Sequence, residues 1–369
     1  MRVLAIEPYF GLSHRTFLEG LQRHSGHEVT IWSLPPRKWK WRMRGSAYHF
    51  AEVARELGSE PRFDLLLVSD FLNLPDFLAL APRWFRAIPT VAYFHENQAT
   101  YPLGANAPVD FHYAWINLST ALCADRVFFN SYHHRESFLA EVRRIFARMP
   151  DYVPERLLER LSESSRVFPV GIDFTSHDAA IAERGERSPL DDRPPRILWN
   201  HRWEYDKGPE LFFSVLGALR AEGTPFRLVV CGQSFRNRPD VFDVARRELA
   251  DRIDHFGFFT EYGDYVREAV RCDVVVSTAI HEFFGVATLD AMYCGCLPVL
   301  PRRLSYPELI PPHMHPLFLY DKDEDLPDFL RRFLAQPPVE YRAELRRHMA
   351  RYDWRELAPI FDRELDALP

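Results

Sequence analysis

The sequence predicts an α/β fold of two Rossmann-like domains, each built on a parallel sheet, facing each other across an inter-domain cleft. Three observations predict it. Short apolar runs alternate with helix-compatible segments along the chain, the pattern of β/α units. A polar, charged stretch, Ser176 to Pro195, interrupts that pattern, which then restarts. The length of 369 residues suits about two domains, and 47 % hydrophobic with 27 % charged residues suits ordinary globular cores. The expected division is residues 1–175, a linker at 176–195, residues 196–350, and a final amphipathic helix at 351–369 that packs back toward the first domain.

The elements follow in order. Val3 to Ile6 reads as a buried strand, Gly11 to His14 as a strand-to-helix turn, and His14 to Arg23 as a helix. Further strands are expected at Val29–Ser33, Phe63–Val68, Pro89–Phe94, Arg126–Phe129 and Val167–Val170. Helices are expected at Asp110–Cys123 and Glu136–Arg148, and one or two Pro-broken helices at Phe71–Phe85. After the linker, Arg196–Trp199 is a strand and Gly208-Pro209 opens a helix, with Pro in a permitted first-turn position. Phe226–Val230 and Ile253–Phe256 are strands. Residues 327–349 read as helical and mostly solvent-facing.

The stretch that organises the chain is His281 to Leu300. An apolar run at Asp273–Thr278 leads into Glu282-Phe-Phe-Gly285, a helix at Val286–Cys294, and a strand at Leu297–Leu300. Its loop sits at the carboxyl end of a strand, where open α/β sheets bind ligands. The N–H groups that open the helix, near Phe284, Gly285 and Val286, suit a phosphate or sugar oxygen. Glu282 and Asp290 can grip hydroxyls at two places on one extended ligand. Read blandly, they are a helix-start acid and a surface acid.

The loop His201 to Lys207 likewise follows a strand and precedes a helix. Arg202 offers a bidentate fork and Lys207 a point charge, a pair suited to a diphosphate. The alternative is two surface cations. His95-Glu96-Asn97-Gln98 directly follows a strand; His95 can hydrogen-bond a sugar or an acceptor, or it is structural. Asp321-Lys-Asp323 satisfies a loose metal motif, but a solvated helix start explains it, so no metal and no cofactor are expected. Residues Arg37-Lys-Trp-Lys-Trp-Arg-Met-Arg44 carry no acid. Cations suit a phosphate backbone and indoles stack on unpaired bases. The same composition suits an anionic membrane surface or a solvated loop.

These residues carry a resemblance. Glu282 with Asp290 resembles the E-x7-E signature of retaining glycosyltransferases of family four, which have the GT-B fold; Asp290 departs from it by one methylene. Leu34 to Arg44, Tyr93 to Gln98, Phe128 to Ser131, His281 to Val286 and Tyr293 to Cys296 resemble the tRNA-queuosine α-mannosyltransferase family, over most of the chain. A further departure is Gly11-Leu12 where that family tends to have Gly-Gly. The resemblance implies transfer of mannose from GDP-mannose, with retained configuration, to a cyclopentene hydroxyl of queuosine in the anticodon of an aspartate tRNA. It implies His95, Glu282, Arg202 and Lys207 as catalytic residues. It implies donor contacts from Arg202, Lys207, Gly257, Phe258, Glu282, Phe284, Gly285, Val286, Asp290 and Gly11. Acceptor contacts would come from Ser13, His14, Arg37, Lys38, Trp39, Lys40, Trp41, Arg42, Glu96, Asn97 and Asn130.

A net charge of −6 does not suggest wholesale nucleic-acid binding. Five cysteines form neither a disulfide framework nor a CxxC zinc pattern, which fits a reducing compartment. No signal peptide or membrane-length apolar run is visible, so a cytoplasmic enzyme without integral membrane association is expected. Oligomeric state is open. Two other readings stand beside the first: a glycosyltransferase acting on a lipid-linked or small-molecule acceptor, and a non-catalytic nucleotide-sugar or RNA-binding protein.

Overall fold

Five short apolar runs in the first half of the chain, with Ser165–Val167 in place of the strand expected at Val167–Val170, become the six strands of one parallel sheet. The computed structural model describes residues 1–102, 111–151, 153–185, 193–234 and 238–368. The chain runs β1 (Arg2–Glu7), α1 (Leu12–His24), β2 (Glu28–Ser33), α2 (Trp39–Arg55), β3 (Leu65–Ser69), α3 (Leu74–Leu80), β4 (Thr90–Phe94), α4 (Phe111–Cys123), β5 (Arg126–Phe129), α5 (Tyr132–Phe146), α6 (Glu155–Ser164) and β6 (Ser165–Val167). The sheet order is β2-β1-β3-β4-β5-β6. β3 and β4 are buried along their whole length, which is why they read as continuous apolar runs rather than alternating ones.

The second half continues with α7 (Thr175–Arg184), β7 (Arg196–Trp199), α8 (Pro209–Ala221), β8 (Arg227–Cys231), α9 (Val241–Glu248), β9 (Ile253–Gly257), α10 (Tyr262–Arg271), β10 (Val274–Val276), α11 (Val286–Tyr293) and β11 (Leu297–Pro301). Then come α12 (Tyr306–Leu309), α13 (His315–Phe318), β12 (Leu319–Tyr320), α14 (Leu326–Ala335), α15 (Arg342–Met349) and α16 (Trp354–Asp366). Its sheet order is β12-β11-β10-β7-β8-β9, again parallel.

The chain divides into two units, Met1–Asp173 with Tyr352–Pro369, and Phe174–Arg351. The last helix thus belongs to the first unit. Trp354 at its start is fully buried. A Cβ on Gly20 would lie 2.0 Å from the Trp354 indole nitrogen, and one on Gly171 would lie 2.4 Å from its Cδ2. Both glycines are therefore needed for the indole to seat. Ser25 Oγ and the Gly26 amide donate to Asp362 at 2.6 and 2.7 Å, tying the end of α1 to α16.

Two points of the sequence reading need correction. Ser176 to Arg184 is not linker but the body of α7; the segment 186–192 lies outside the described residues. The solvated-loop alternative for the basic run fails from Trp39 onward, where its residues form the first turns of α2. Residues 327–349 are helical at both ends and mostly exposed or half-buried, as expected, with Leu330, Phe333, Leu334, Leu345 and Met349 forming the buried faces.

Candidate functional site

In the second unit the chain runs from β7 outward through β8 to β9, then returns to place β10 on the opposite side of β7. The loops after β7 and β10 therefore flank a topological switch point at the carboxyl ends of the strands, the position where open α/β sheets bind ligands. The first loop carries Asn200 to Lys207 and ends in a 3-10 turn at Tyr205–Lys207. Gly208 then adopts φ +62, and a Cβ there would lie 2.2 Å from the Thr278 carbonyl oxygen. The second loop, Ser277 to Gly285, is bound to the first. The Ile280 and His281 amides donate to the Asp206 carbonyl at 2.8 and 3.1 Å, and Thr278 Oγ1 donates to the Gly208 carbonyl at 2.8 Å.

This clamp brings Lys207 and Glu282 together. Lys207 is buried, and its Nζ lies 2.8 Å from the His281 carbonyl oxygen, 3.1 Å from Asp206 Oδ2 and 3.3 Å from Glu282 Oε2. Burial disfavours its charge, but Glu282 and Asp206 outweigh burial and raise its pKa above the ordinary lysine value. Burial likewise pushes Glu282 up, but Lys207, then His201 and His281, prevail and bring it down to about 2. Glu282 is thus an ionised acceptor at neutral pH. His201 is driven down to about 4 by burial and by Lys207, so it is neutral there. Sequence reasoning missed Asp206 and His201 as members of this group. Arg202 is partly exposed and pairs with Glu204 at 3.2 Å.

Gly285 caps α11 at φ +97. The Phe284 amide, expected to face a ligand, already lies 3.4 Å from Glu282 Oε1, and Val286 is the first residue of the helix. Asp290 is only 5 % exposed, so it is not the surface acid of the bland reading. Its Oδ2 accepts a hydrogen bond from Tyr262 Oη at 2.9 Å, and its Oδ1 lies 3.4 Å from His177 Nε2. Neither partner was expected. Gly257 ends β9, and Phe258 beyond it is 61 % exposed.

The first unit has its own switch point, between β1 and β3. Glu7 ends β1, and its Oε1 accepts from the Tyr9 amide at 2.8 Å and from Ser69 Oγ at 3.0 Å. His14 Nδ1 lies 2.9 Å from Glu7 Oε2, and the His14 ring lies 4.0 Å from that of His95, centroid to centroid. Burial opposes a charge on His14, but Glu7 prevails and lifts its pKa to about 9. Burial, then the charges of His14 and His134, hold His95 well below the usual imidazole value. Burial raises Asp70 well above the ordinary carboxylate range, against the opposing pull of His14. The Asp70 carboxylate accepts from the His95 amide at 2.9 Å.

Several residues expected as acceptor contacts also shape this loop. Asn97 is fully buried and accepts from the Thr100 amide at 2.8 Å. Asn130 is buried, donates to the His95 carbonyl at 2.8 Å and meets His134 Nδ1 at 2.9 Å. Glu96 accepts from Gln98 Nε2 at 2.8 Å. Gly11 is extended, and the group that approaches it closely is Pro36, 2.7 Å from where a Cβ would stand. Ser13 lies in the first turn of α1, whose cap position is Gly11.

The basic run presents a face. Arg37, Lys38, Lys40 and Arg44 are exposed, and Trp41 is 71 % exposed. Trp39 is half-buried, with its ring 4.9 Å from Tyr113, and Lys40 Nζ lies 5.5 Å from the Trp39 centroid. Arg42 folds back, donating to the Pro35 carbonyl at 3.1 and 3.2 Å.

Among the described residues one group, Glu7, His14 and His95, has the donor spacing of a metal site, its ligand atoms within 4.8 Å of one another. Glu7 and His14 already spend two of those atoms on each other. Asp321 and Asp323 are paired with Arg302 and Arg303 at 2.6 and 2.8 Å, as a solvated surface run would be. No helix of the described residues is long and apolar enough to cross a membrane.

Comparison with known proteins gives these arrangements a context. The family model described as tRNA-queuosine alpha-mannosyltransferase N-terminal matches residues 2–172, and that described as glycosyl transferases group 1 matches residues 181–353. The chain is 34 % identical over 340 residues to a Drosophila melanogaster tRNA-queuosine alpha-mannosyltransferase, covering 91 % of this chain and 88 % of the relative. It is 23 % identical over 198 residues to a GDP-mannose:cellobiosyl-diphosphopolyprenol alpha-mannosyltransferase of Xanthomonas campestris, covering 52 % and 50 %. Among solved structures, Thermosynechococcus elongatus sucrose-phosphate synthase is similar at TM-score 0.75 and 15 % identity, over 100 % of this chain and 99 % of that one. Anabaena HepE in complex with UDP is similar at TM-score 0.69 and 14 % identity, over 100 % of both chains. The two parallel sheets and these likenesses show the GT-B α/β fold expected from the sequence.

Proposed function

The chain belongs to the tRNA-queuosine alpha-mannosyltransferase family and is a glycosyltransferase; from that premise we propose that it transfers mannose from GDP-mannose, with retained configuration, to a cyclopentene hydroxyl of queuosine in a tRNA anticodon. The observation that carries the reading is the buried Lys207–Glu282 pair at the switch point of the second unit. Lys207 and Arg202 balance the charge that develops on the departing diphosphate, so the reading is metal-independent. Glu282, ionised, accepts hydrogen bonds from the mannose hydroxyls. The helix start at Gly285 and Val286 faces phosphate or sugar oxygens. The exposed Phe258 beside Gly257 offers a surface for the base.

Glu282 is already engaged by Lys207 and the Phe284 amide, which supports acceptance of sugar hydroxyls over nucleophilic attack. In the proposed step the bond from the anomeric carbon to the phosphate oxygen breaks. The queuosine hydroxyl bonds to that carbon on the same face, and its proton passes to the departing phosphate oxygen. His95, kept neutral at physiological pH, is a hydrogen-bond partner for a hydroxyl in this step. The cations and the exposed Trp41 of α2 suit a splayed anticodon loop, whose unpaired bases stack on aromatic rings. We place the reaction in the cytoplasm.

A lipid-linked acceptor is the second reading, because the Xanthomonas relative is named for a diphosphopolyprenol substrate. The N-terminal family model over residues 2–172 favours tRNA. Purified protein incubated with queuosine-containing tRNA and GDP-mannose, UDP-glucose or UDP-galactose separates them by mass spectrometry of the nucleosides. The expected result is a hexose gained on queuosine with GDP-mannose alone and lost in Glu282→Ala and Lys207→Ala. A hexose from another donor corrects the sugar. No gain with any donor, despite nucleotide-sugar binding, moves the acceptor off tRNA.

A further inference from the structure

Asp290 stands where the second acid of the glycosyltransferase signature stands, but it is one methylene short and only 5 % exposed. A ligand hydroxyl has little access to it. Its Oδ2 is taken by Tyr262 Oη at 2.9 Å, and Tyr262, the first residue of α10, is 50 % exposed. His177 of α7 lies behind the pair, its Nε2 3.4 Å from both Asp290 Oδ1 and Tyr262 Oη. The carboxylate is thus recessed, and the group that joins it to the surface is a phenol.

We propose that Tyr262 supplies the reach that Asp290 lacks: its hydroxyl, held by Asp290 Oδ2, is the group that meets the ribose diol of the donor nucleotide. This rests on the nucleotide-sugar reading of the second unit. A phenol oxygen accepts as well as donates. A ribose O–H can therefore donate to Tyr262 Oη while Tyr262 donates to Asp290, and the two bonds in series polarise each other. His177 positions the carboxylate and does not touch the ligand. Tyr262 is thus a specificity-determining residue for a ribose that keeps its hydroxyls, whatever base the nucleotide carries.

The test is calorimetric titration of the full chain with GDP and with 2′,3′-dideoxy-GDP, which has the same base and phosphates and no diol. Variants are Tyr262→Phe, Asp290→Glu and the double substitution. The wild type is expected to prefer GDP by about tenfold, the worth of one charge-assisted hydrogen bond. Tyr262→Phe loses that preference while binding the dideoxy nucleotide as the wild type does. Asp290→Glu alone crowds the phenol and weakens GDP. The double variant regains the preference, because the longer acid occupies the place the hydroxyl leaves. Tyr262→Phe that still prefers GDP overturns the proposal, as does one that weakens both nucleotides alike, which marks a purely structural role. If the wild type does not bind GDP, the donor reading falls and takes the proposal with it; binding of GDP with no role for Tyr262 overturns this proposal alone.

Discussion

Lys207 Nζ stands between two carboxylates, 3.1 Å from Asp206 and 3.3 Å from Glu282, and only one of the two is its neighbour in sequence. The triangle is asymmetric. Removing Glu282 leaves Lys207 with Asp206 and the His281 carbonyl. Removing Lys207 leaves two buried or half-buried carboxylates facing each other. Lys207→Ala should therefore destabilise the protein by about 3–5 kcal/mol, and Glu282→Ala by about half of that. The double variant should cost less than the sum. Urea unfolding of the three variants checks this, and a smaller cost for Lys207→Ala than for Glu282→Ala would contradict it.

His14 gives the first unit a pH dependence. Its folded pKa, about 9, lies above the ordinary 6.5. Its stabilisation is full below pH 6.5 and is lost as pH rises through 9. The expected contribution is about 3 kcal/mol at the acid end of that window. The stability difference between wild type and His14→Gln should shrink steadily from pH 6.5 to 9.5. A difference that is flat across this range would show that His14 is not held charged by Glu7.

How much of this was legible in the sequence depends on whether the signal is local. β7 lies at the expected Arg196–Trp199, and α8 starts at the expected Pro209, because a buried strand and a first-turn proline announce themselves within a few residues. α2 was hidden. Its buried face, Met43, Ala47, Phe50, Ala51 and Ala54, lies mostly beyond the basic run, so residues 37–44 alone look like a loop. α7 was hidden because its anchors are tertiary: His177, and the neighbouring Phe174 stacked on Tyr293 at 3.6 Å. In the site, Glu282 and Lys207 stood out through motif and placement. Asp206, His201, Tyr262 and Glu7 did not, since their roles depend on partners brought in by the sheet order. One usable signal was there: Glu7 is an acid that directly follows the apolar run Val3–Ile6.

The exposed face of α2 predicts a separable loss. Trp41→Ala should weaken binding of a queuosine tRNA by about 1–3 kcal/mol, the range for stacking on one base, and leave GDP affinity unchanged. Lys40→Ala should lower the dependence of tRNA affinity on salt by about one phosphate contact. Filter binding at several salt concentrations reads both. Unaltered tRNA binding in both variants would remove α2 from the acceptor surface.

The indole of Trp354 fills a slot that two glycines leave open. Gly20→Ala should expel it, since the new Cβ would fall 2.0 Å from the ring nitrogen. A destabilisation of about 3–5 kcal/mol is expected, comparable with Trp354→Ala. A red-shifted tryptophan emission together with early proteolysis at the carboxyl end would report the loss. An unshifted spectrum in Gly20→Ala would mean the slot can widen.

Because α16 completes the first unit, synthesis and folding do not keep the same order. A ribosome makes β1 to β6 first, yet the wall that covers Phe17, Phe128 and Phe168 emerges only after the whole second unit, with Trp354 and Phe361. The second unit, an unbroken segment from Phe174 to Arg351, has all its own residues before the first does. The earliest-born half is thus the last to be sealed. A nascent chain stopped before Trp354 would carry a finished second sheet and a first one with an open seam.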